Sequence, residues 1–464
     1  MVFPSAKVRA LQVAAILVSV GLAACIDTAP HPADPTGLPE ARSVASVGPA
    51  MTESDLRDRT AGARLTHDAL FTAVAEMEPW FGGIFLEAGE LQVVTTDLTI
   101  SHSRVTQVTE ALLQVAGRDR LAERAGGVQL VEGKYSFAEL QGWLLLIRPV
   151  LHQHGVHRVS ISERANQISL ATASAGSSSA LSRWIEAQDI PSNAVRIEVH
   201  EPARLNHHWG GHAVEVELDG LHSQVSSCTL TQVVERRLAD GTPAAQLYGI
   251  TNSHCTARFG VQGSDAFLEG STRVADAVWD HPLLTDPKCE AISGTTEPSC
   301  RYSDAALFEY RSFFAGQLNL HKIRPSFDSL HTEDMAFTGE IVNKYGRATF
   351  LTYGEVLDTC VDVWIPLDPG SHQPDPFGLL CHAEADYLAA DGDSGGPVWL
   401  MEDWGEPWGE RRMFAGIHSS SFGEKRYFST SMRVWEEIVP DEAGWGTICL
   451  SFAEATPGSM TCAW

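Results

Sequence analysis

The sequence predicts a mainly β protein with a smaller α+β module in front of it, and three observations lead there. After Trp209-Gly210-Gly211, short β-rich runs alternate with Gly, Pro and Asp turns, and helical patterns are scarce until 434–438. Residues 81–203 instead mix hairpin signals with helical stretches. Of the nine cysteines, eight fall after residue 227, so the two halves differ in covalent chemistry as well as in texture.

At 464 residues the chain has room for two or three domains, each with its own core. Hydrophobic residues make up 44% and charged residues 20%, the balance of a soluble globular protein. A net charge of −26 lacks the clustered Lys and Arg that a phosphate backbone demands, so nucleic acid is not an expected partner. The same acidity disfavours electrostatic attachment to an anionic membrane.

Lys7 and Arg9 precede an apolar stretch, 11–22, and Leu22-Ala23-Ala24-Cys25 follows. The pattern reads as an export signal whose ending resembles a bacterial lipobox. The expectation is that 1–24 is removed and Cys25 is lipidated. The protein would then sit in the bacterial cell envelope, touching the membrane only through that lipid, with release outside after processing. No later stretch is long and apolar enough to span a bilayer. Residues 25–50 carry Pro30, Pro32, Pro35, Pro39 and Pro49 among small polar neighbours, the composition of a tether.

Helix formers over 52–77 predict one helix, stopped by Pro79. Two β-rich runs over 81–97 flank Glu87-Ala88-Gly89-Glu90 as a hairpin, then come a helix over 105–115 and a strand over 128–131. Ser136 with Glu139 forms a capping box for the next helix. The pattern then repeats about 75 residues on: a hairpin of 156–162 and 167–173 around Arg164-Ala165-Asn166, a helix over 178–188 broken by Pro191, and a strand over 194–200. These two units define a module, 51–205, with no cysteine and no catalytic cluster. In 206–464 the β-rich runs are 213–218, 228–234, 246–251, 305–310, 414–418 and 427–430.

Three segments of this second half carry chemistry. In Gly392-Asp393-Ser394-Gly395-Gly396-Pro397 the glycines permit a tight turn that presents a serine beside backbone amides. In Thr251-Asn252-Ser253-His254-Cys255 an imidazole adjoins a cysteine able to fix it, and its reference pKa of about 6.5 suits proton exchange with a serine. In Tyr302-Ser303-Asp304-Ala305-Ala306-Leu307 a carboxylate heads an apolar strand, where burial lets it orient an imidazole. An even set of eight cysteines in an exported chain reads as a disulfide framework, although spacing alone leaves its connectivity open. No C-x-x-C pair suggests a metal, and His207, His208 and His212 read as scattered surface residues.

These segments resemble those of the chymotrypsin-like serine peptidases, above all the bacterial secreted branch of streptogrisins and α-lytic protease. The serine motif matches from Gly392 to Pro397. Thr251, His254 and Cys255 match the T-A-x-H-C histidine motif, while Asn252 departs from it; Asp304, Ala306 and Leu307 match the aspartate motif. The resemblance covers roughly 205–464. It implies two six-stranded antiparallel β-barrels with the triad His254, Asp304 and Ser394 between them, and an oxyanion hole from the amides of Gly392 and Ser394. The implied activity is a serine-type endopeptidase acting on proteins or peptides through an acyl-enzyme, as a monomer, with no metal or organic cofactor. The branch's pattern implies pairs Cys228–Cys255, Cys289–Cys300 and Cys360–Cys381, and position suggests that Cys449 with Cys462 pins the C-terminal region. Each such link contributes about 2–4 kcal/mol.

Gly416-Ile417-His418-Ser419-Ser420-Ser421 resembles the family's substrate-binding strand, with Ser419 and Ser421 lining it. His418 stands where glutamate-selective relatives hold a histidine; its alternative is a buried structural role. Leu388 occupies the place where trypsins carry aspartate, which disfavours Arg or Lys preference. Asp391 would repel an acidic substrate if it faced the pocket. The α+β module resembles the branch's pro-regions in placement and pattern, so the chain reads as a precursor, a zymogen cut within 200–212. The rival reading is a catalytically inactive peptidase fold serving as a lipoprotein binding module; Asn252 and the unusual module favour it, and the complete triad opposes it.

Overall fold

Side-chain caps set the helix starts of the N-terminal half. Thr52 opens α1 (Glu53–Thr60) in a capping box with Asp55, and Thr66 opens α2 (His67–Met77) by accepting from the Ala69 amide at 3.0 Å. The single helix expected over 52–77 is therefore two, because each threonine satisfies its own first-turn amides. Ser101 caps α3 (His102–Val115), Ser136 and Glu139 form the expected capping box on α4 (Phe137–Ile147), and Ser174 caps α5 (Ala175–Glu186). The computed structural model describes residues 50–61, 65–118, 121, 127–205, 213–217, 225–237, 243–256, 266–269, 272–311, 335–366, 376–403, 410–438 and 447–450. Cys25, the signal segment and the tether lie outside them. No described helix is long and apolar enough to cross a membrane.

The repeated pattern read from the sequence is present in the strands. The hairpin β1 (Phe81–Glu87) and β2 (Glu90–Thr95) is followed by α3 and a parallel third strand, β3 (Val128–Glu132). Likewise β4 (Val156–Ser162) and β5 (Gln167–Thr172) pair antiparallel, and β6 (Val195–Val199) adds parallel to β5 after α5. A two-residue strand, β7 (Arg204–Leu205), leads out of this half.

Strands dominate the second half. They are β8 (Ala213–Glu217), β9 (Val225–Thr229), β10 (Gln232–Arg237), β11 (Pro243–Thr251), β12 (Ala266–Glu269), β13 (Thr272–Asp280), β14 (Cys300–Arg301) and β15 (Ala306–Tyr310). Then come β16 (Ile341–Gly346), β17 (Phe350–Ile365), β18 (Phe377–Ala385), β19 (Pro397–Asp403), β20 (Glu410–Phe422), β21 (Lys425–Thr430) and β22 (Thr447–Leu450). Two helices interrupt them, α6 (Pro287–Ser293) and α7 (Ser431–Ile438). The run expected over 228–234 divides, since Leu230 and Thr231 lie between β9 and β10.

One sheet has eight strands in the order β22-β10-β11-β15-β13-β12-β8-β9. The other has eleven, because β4, β5 and β6 join it through β17 and β7 joins through β20. Within it β17 also pairs with β18, so the path β18-β21-β20-β19-β16-β17 returns to its start.

The N-terminal half and the second sheet share a core. Phe71 meets the edges of Phe81 and Phe137 and stacks on Phe337, with all four rings fully buried. Burial of each contributes about 1.5–3 kcal/mol. The strand junction itself is charged. Arg158 on β4 reaches Asp358 and Glu384 at 2.6 Å each, and Ser160 donates to Asp358 at 2.9 Å. Arg148 pairs with Asp362 at 3.0 Å, and Arg118 pairs with Glu340 at 2.6 Å. Removing one partner of such a set leaves a buried charge uncompensated. Arg158→Met should therefore cost about 3–5 kcal/mol in urea unfolding, with much of it recovered when Asp358→Asn and Glu384→Gln are added. A loss under about 1 kcal/mol would mean that the cluster behaves as a surface pair.

Candidate active site

β11 and β15 are neighbours, with Thr251 opposite Ala306. Just beyond the paired residues, a 3-10 turn, Ser253–Cys255, crosses the start of β15 and lays His254 against Asp304. His254 Nδ1 stands 2.5 Å from Asp304 Oδ2, and the His254 amide donates to Oδ1 at 3.0 Å. Both residues are buried. Because the carboxylate accepts, Nδ1 is the donor of that contact and Nε2 is the ring's other nitrogen. Burial pushes the Asp304 carboxyl up, but the His254 ring, its hydrogen bonds and the Arg301 guanidinium outweigh this and hold it below the usual carboxylate range. The Asp304 backbone is fixed as well: its amide donates to Ser429 Oγ at 2.8 Å, and its carbonyl accepts from Asn252 Nδ2 at 2.5 Å. Asn252, the departure from the family pattern, thus ties the histidine turn to the aspartate.

The serine turn is built by two glycines in the left-handed region, Gly392 at φ 96° and Gly395 at φ 85°. A Cβ on Gly395 would lie 2.1 Å from the Thr229 carbonyl, so the close approach itself excludes a side chain. Thr229 joins the two turns. Its amide donates to the Ser394 carbonyl at 2.7 Å and its hydroxyl to the Gly392 carbonyl at 2.8 Å. Its own carbonyl accepts from Thr251 Oγ1 at 3.0 Å, and its neighbour Cys228 is bonded to Cys255. The Ser394 hydroxyl donates to the Ser419 carbonyl at 3.4 Å, while Gly395 N and the His418 carbonyl meet at 3.0 Å. His254, Asp304 and Ser394 are thus held by one buried frame.

Asp393 anchors the serine turn from below. Its carboxylate meets Lys344 Nζ at 2.6 Å, both side chains fully buried, and accepts from the Ala348 amide at 2.7 Å and from Thr349 Oγ1 at 2.6 Å. Burial raises this carboxyl, and Lys344 brings it below its ordinary value. The sequence reading missed Lys344, Ser429 and Arg301, since each acts on a partner from a distant stretch.

His418 is fully buried, its Nδ1 is 3.0 Å from the Tyr387 hydroxyl, and burial pushes its pKa down to about 3. Ser419 is buried and Ser421 half-buried, whereas Leu388 is 61% exposed and Asp391 exposed. Bonds Cys228–Cys255, Cys289–Cys300 and Cys360–Cys381 are present, and Cys462, the expected partner of Cys449, lies outside the described residues. Cys228, His254 and Cys255 cluster closely, yet both sulfurs are spent in their disulfide and offer no thiolate to a metal. His207, His208 and His212 lie outside the described residues.

No protein-family model and no curated protein matches the chain. Among solved structures it is similar to a glutamic acid specific serine protease that uses a histidine triad in substrate binding, at 18% identity and a TM-score of 0.29, over 49% of this chain and 95% of that one. It is also similar to Thermobifida fusca protease A, at 14% identity and a TM-score of 0.29, over 49% and 93%. Cellulomonas bogoriensis chymotrypsin is similar at 17% identity and a TM-score of 0.28, over 49% and 93%.

Buried imidazoles make stability depend on pH. Burial holds His67, His157 and His382 at about 4, and His418 at about 3. Unfolded, these rings take protons near pH 6.5, so below that pH the unfolded chain binds more protons and stability falls. Glu163, raised to about 8, and Asp68, raised to about 6, both by burial, hold protons longer in the folded state and oppose the trend. Four groups against two leave a net loss as pH drops from about 6.5 to 4.5, at about 1.4 kcal/mol per pH unit for each net proton. Above pH 6.5 the histidine effect fades, and Glu163 makes stability decline slowly as it ionises. The urea midpoint should peak near pH 6.5; a flat profile between pH 8 and 5 would contradict this.

Proposed function

We propose that the chain is the precursor of an exported serine endopeptidase with a chymotrypsin-like pair of barrels. The observation that carries this reading is the buried contact between His254 Nδ1 and Asp304 Oδ2 at 2.5 Å, in the frame that also holds Ser394. In the proposed mechanism Nε2 of His254 takes the Ser394 proton as the hydroxyl attacks a peptide carbonyl. Asp304 keeps the ring oriented and stabilises its positive form. The amides of Gly392 and Ser394 receive the oxyanion, the leaving amine takes the proton back, and water frees the acyl group. The closed path of β16 to β21 supports a second barrel of six strands. The lipid on Cys25, a cell-envelope location and a monomeric state complete the proposal.

The precursor reading has its own support. β7 pairs antiparallel with β20, placing Leu205 opposite Ser420 and Arg204 opposite Ser421. Strand addition of this kind is how an extended peptide docks on a sheet. The chain's own segment therefore lies along the strand assigned to substrate, and the proposed cut, within 200–212, falls in the same stretch.

A fluorophosphonate probe should label the wild-type chain and not Ser394→Ala, with Asp304→Asn lowering turnover on the order of ten-thousand-fold. Processed protein that refuses the label would favour the inactive binding module instead. N-terminal sequencing of the wild type should find a new terminus within 200–212, absent from Ser394→Ala. Full-length protein with undiminished activity would overturn the precursor reading.

A further inference from the structure

A second concave site lies away from the serine turn. A cavity of about 340 Å³ opens between α2 and α4 of the N-terminal half and the α6 region of the β half. Its walls include Asp68 and Thr72, one turn apart on α2, Gln141 on α4, the paired Arg59 and Glu76, and Lys288 and Tyr302 from the β half. Asp68 is 4% exposed. Three of the lining oxygens, Asp68 Oδ1, Thr72 Oγ1 and Gln141 Oε1, are buried with no hydrogen-bond partner among the described residues. Buried acceptors without donors are rare in folded proteins because each forfeits its hydration. Whatever fills this cavity must bring the donors.

A primary ammonium carries three N–H donors, one for each orphaned oxygen, and its charge matches the carboxylate. Lys288 also lines the cavity, from α6, and forms no ion pair among the described residues, so its side chain suits the anionic group of a ligand. Ala73 and the Tyr302 ring add apolar surface to the lining. A metal ion fits poorly, since of the two lining carboxylates Glu76 is paired with Arg59, which leaves Asp68, and a lysine shares the cavity. The geometry points to a binding site for a small zwitterionic amino acid, its ammonium on Asp68, Thr72 and Gln141 and its carboxylate toward Lys288.

Such a ligand would touch both halves of the chain, because Asp68, Thr72 and Gln141 precede residue 206 whereas Lys288 and Tyr302 come after it. It would also sit two residues from Asp304, through Tyr302. Asp68 faces Lys288 on α6, Asp358 and Asp362 on β17, and Arg148 after α4; burial lifts it to about 6 in spite of the two cations. A bound ammonium favours its ionised form, so binding tightens as pH rises through about 6.

The site does not depend on the peptidase reading, and its test uses binding rather than activity. The full chain carrying Ser394→Ala is titrated calorimetrically with L-leucine, with N-acetyl-L-leucine and with L-leucinamide. Binding of L-leucine alone is expected, weakened tenfold or more by Asp68→Asn and by Thr72→Val. Thr72→Val keeps the side chain's shape, so it carries the test if Asp68→Asn fails to fold. No binding of L-leucine at about 10 mM, or equal binding of either derivative, overturns the assignment; the cavity then holds only water.

Discussion

The structure turns on a carboxylate kept charged without water. Asp304 is fully buried, and an ionised group there is expensive unless every oxygen is answered. His254 answers twice, through its amide and its Nδ1, while Arg301 adds its field from a second ion pair with Asp280 at 2.9 Å. Those demands fix the path of the chain around the site. The 3-10 turn must cross the start of β15, the Cys228–Cys255 bond must pull β9 toward that turn, and Thr229 then lies where it can hold the serine turn.

The two halves meet on the same logic at a larger scale. An apolar seam of Phe71, Phe81, Phe137 and Phe337 runs beside a row of buried pairs, Arg158 with Asp358 and Glu384, and Arg148 with Asp362. The apolar part holds the halves together, and the pairs fix how β4 meets β17, since one step of slippage would leave buried charges unmatched. Ionic seams of this sort specify geometry more than they add stability. Such a junction separates at a high cost in unpaired charge, so cutting the chain near residue 206 would not by itself part the halves.

Local features were legible in the sequence, and distant pairings were not. The hairpins about Ala88 and Asn166, the capping box of Ser136 with Glu139, and the turn glycines 392 and 395 all arise from backbone rules acting over a few residues. The split of 52–77 into two helices needed only a closer look at Thr66, a second cap inside one run of helix formers. Lys344 gave no such sign. It is a lysine in an alternating strand, and only the tertiary fold reveals that its partner is Asp393, with both buried. The joining of β4 to β17 is likewise a pairing across some two hundred residues, beyond any local periodicity. Asn252 looked like a defect in a motif, yet it supplies a hydrogen bond to Asp304.

Chemistry and restraint meet on a single strand, β20. At His418 and Ser419 its carbonyls receive Gly395 N and the Ser394 hydroxyl, and so hold the serine turn. One and two residues later, at Ser420 and Ser421, it pairs with β7. A bulge between those two stretches, where its register to β21 shifts between His418 and Ser420, turns successive residues toward different partners. Under the proposed function, a peptide substrate that displaced β7 would pair with the same backbone groups of β20. In the proposed precursor, the restrained and active forms would then differ in which segment lies along β20.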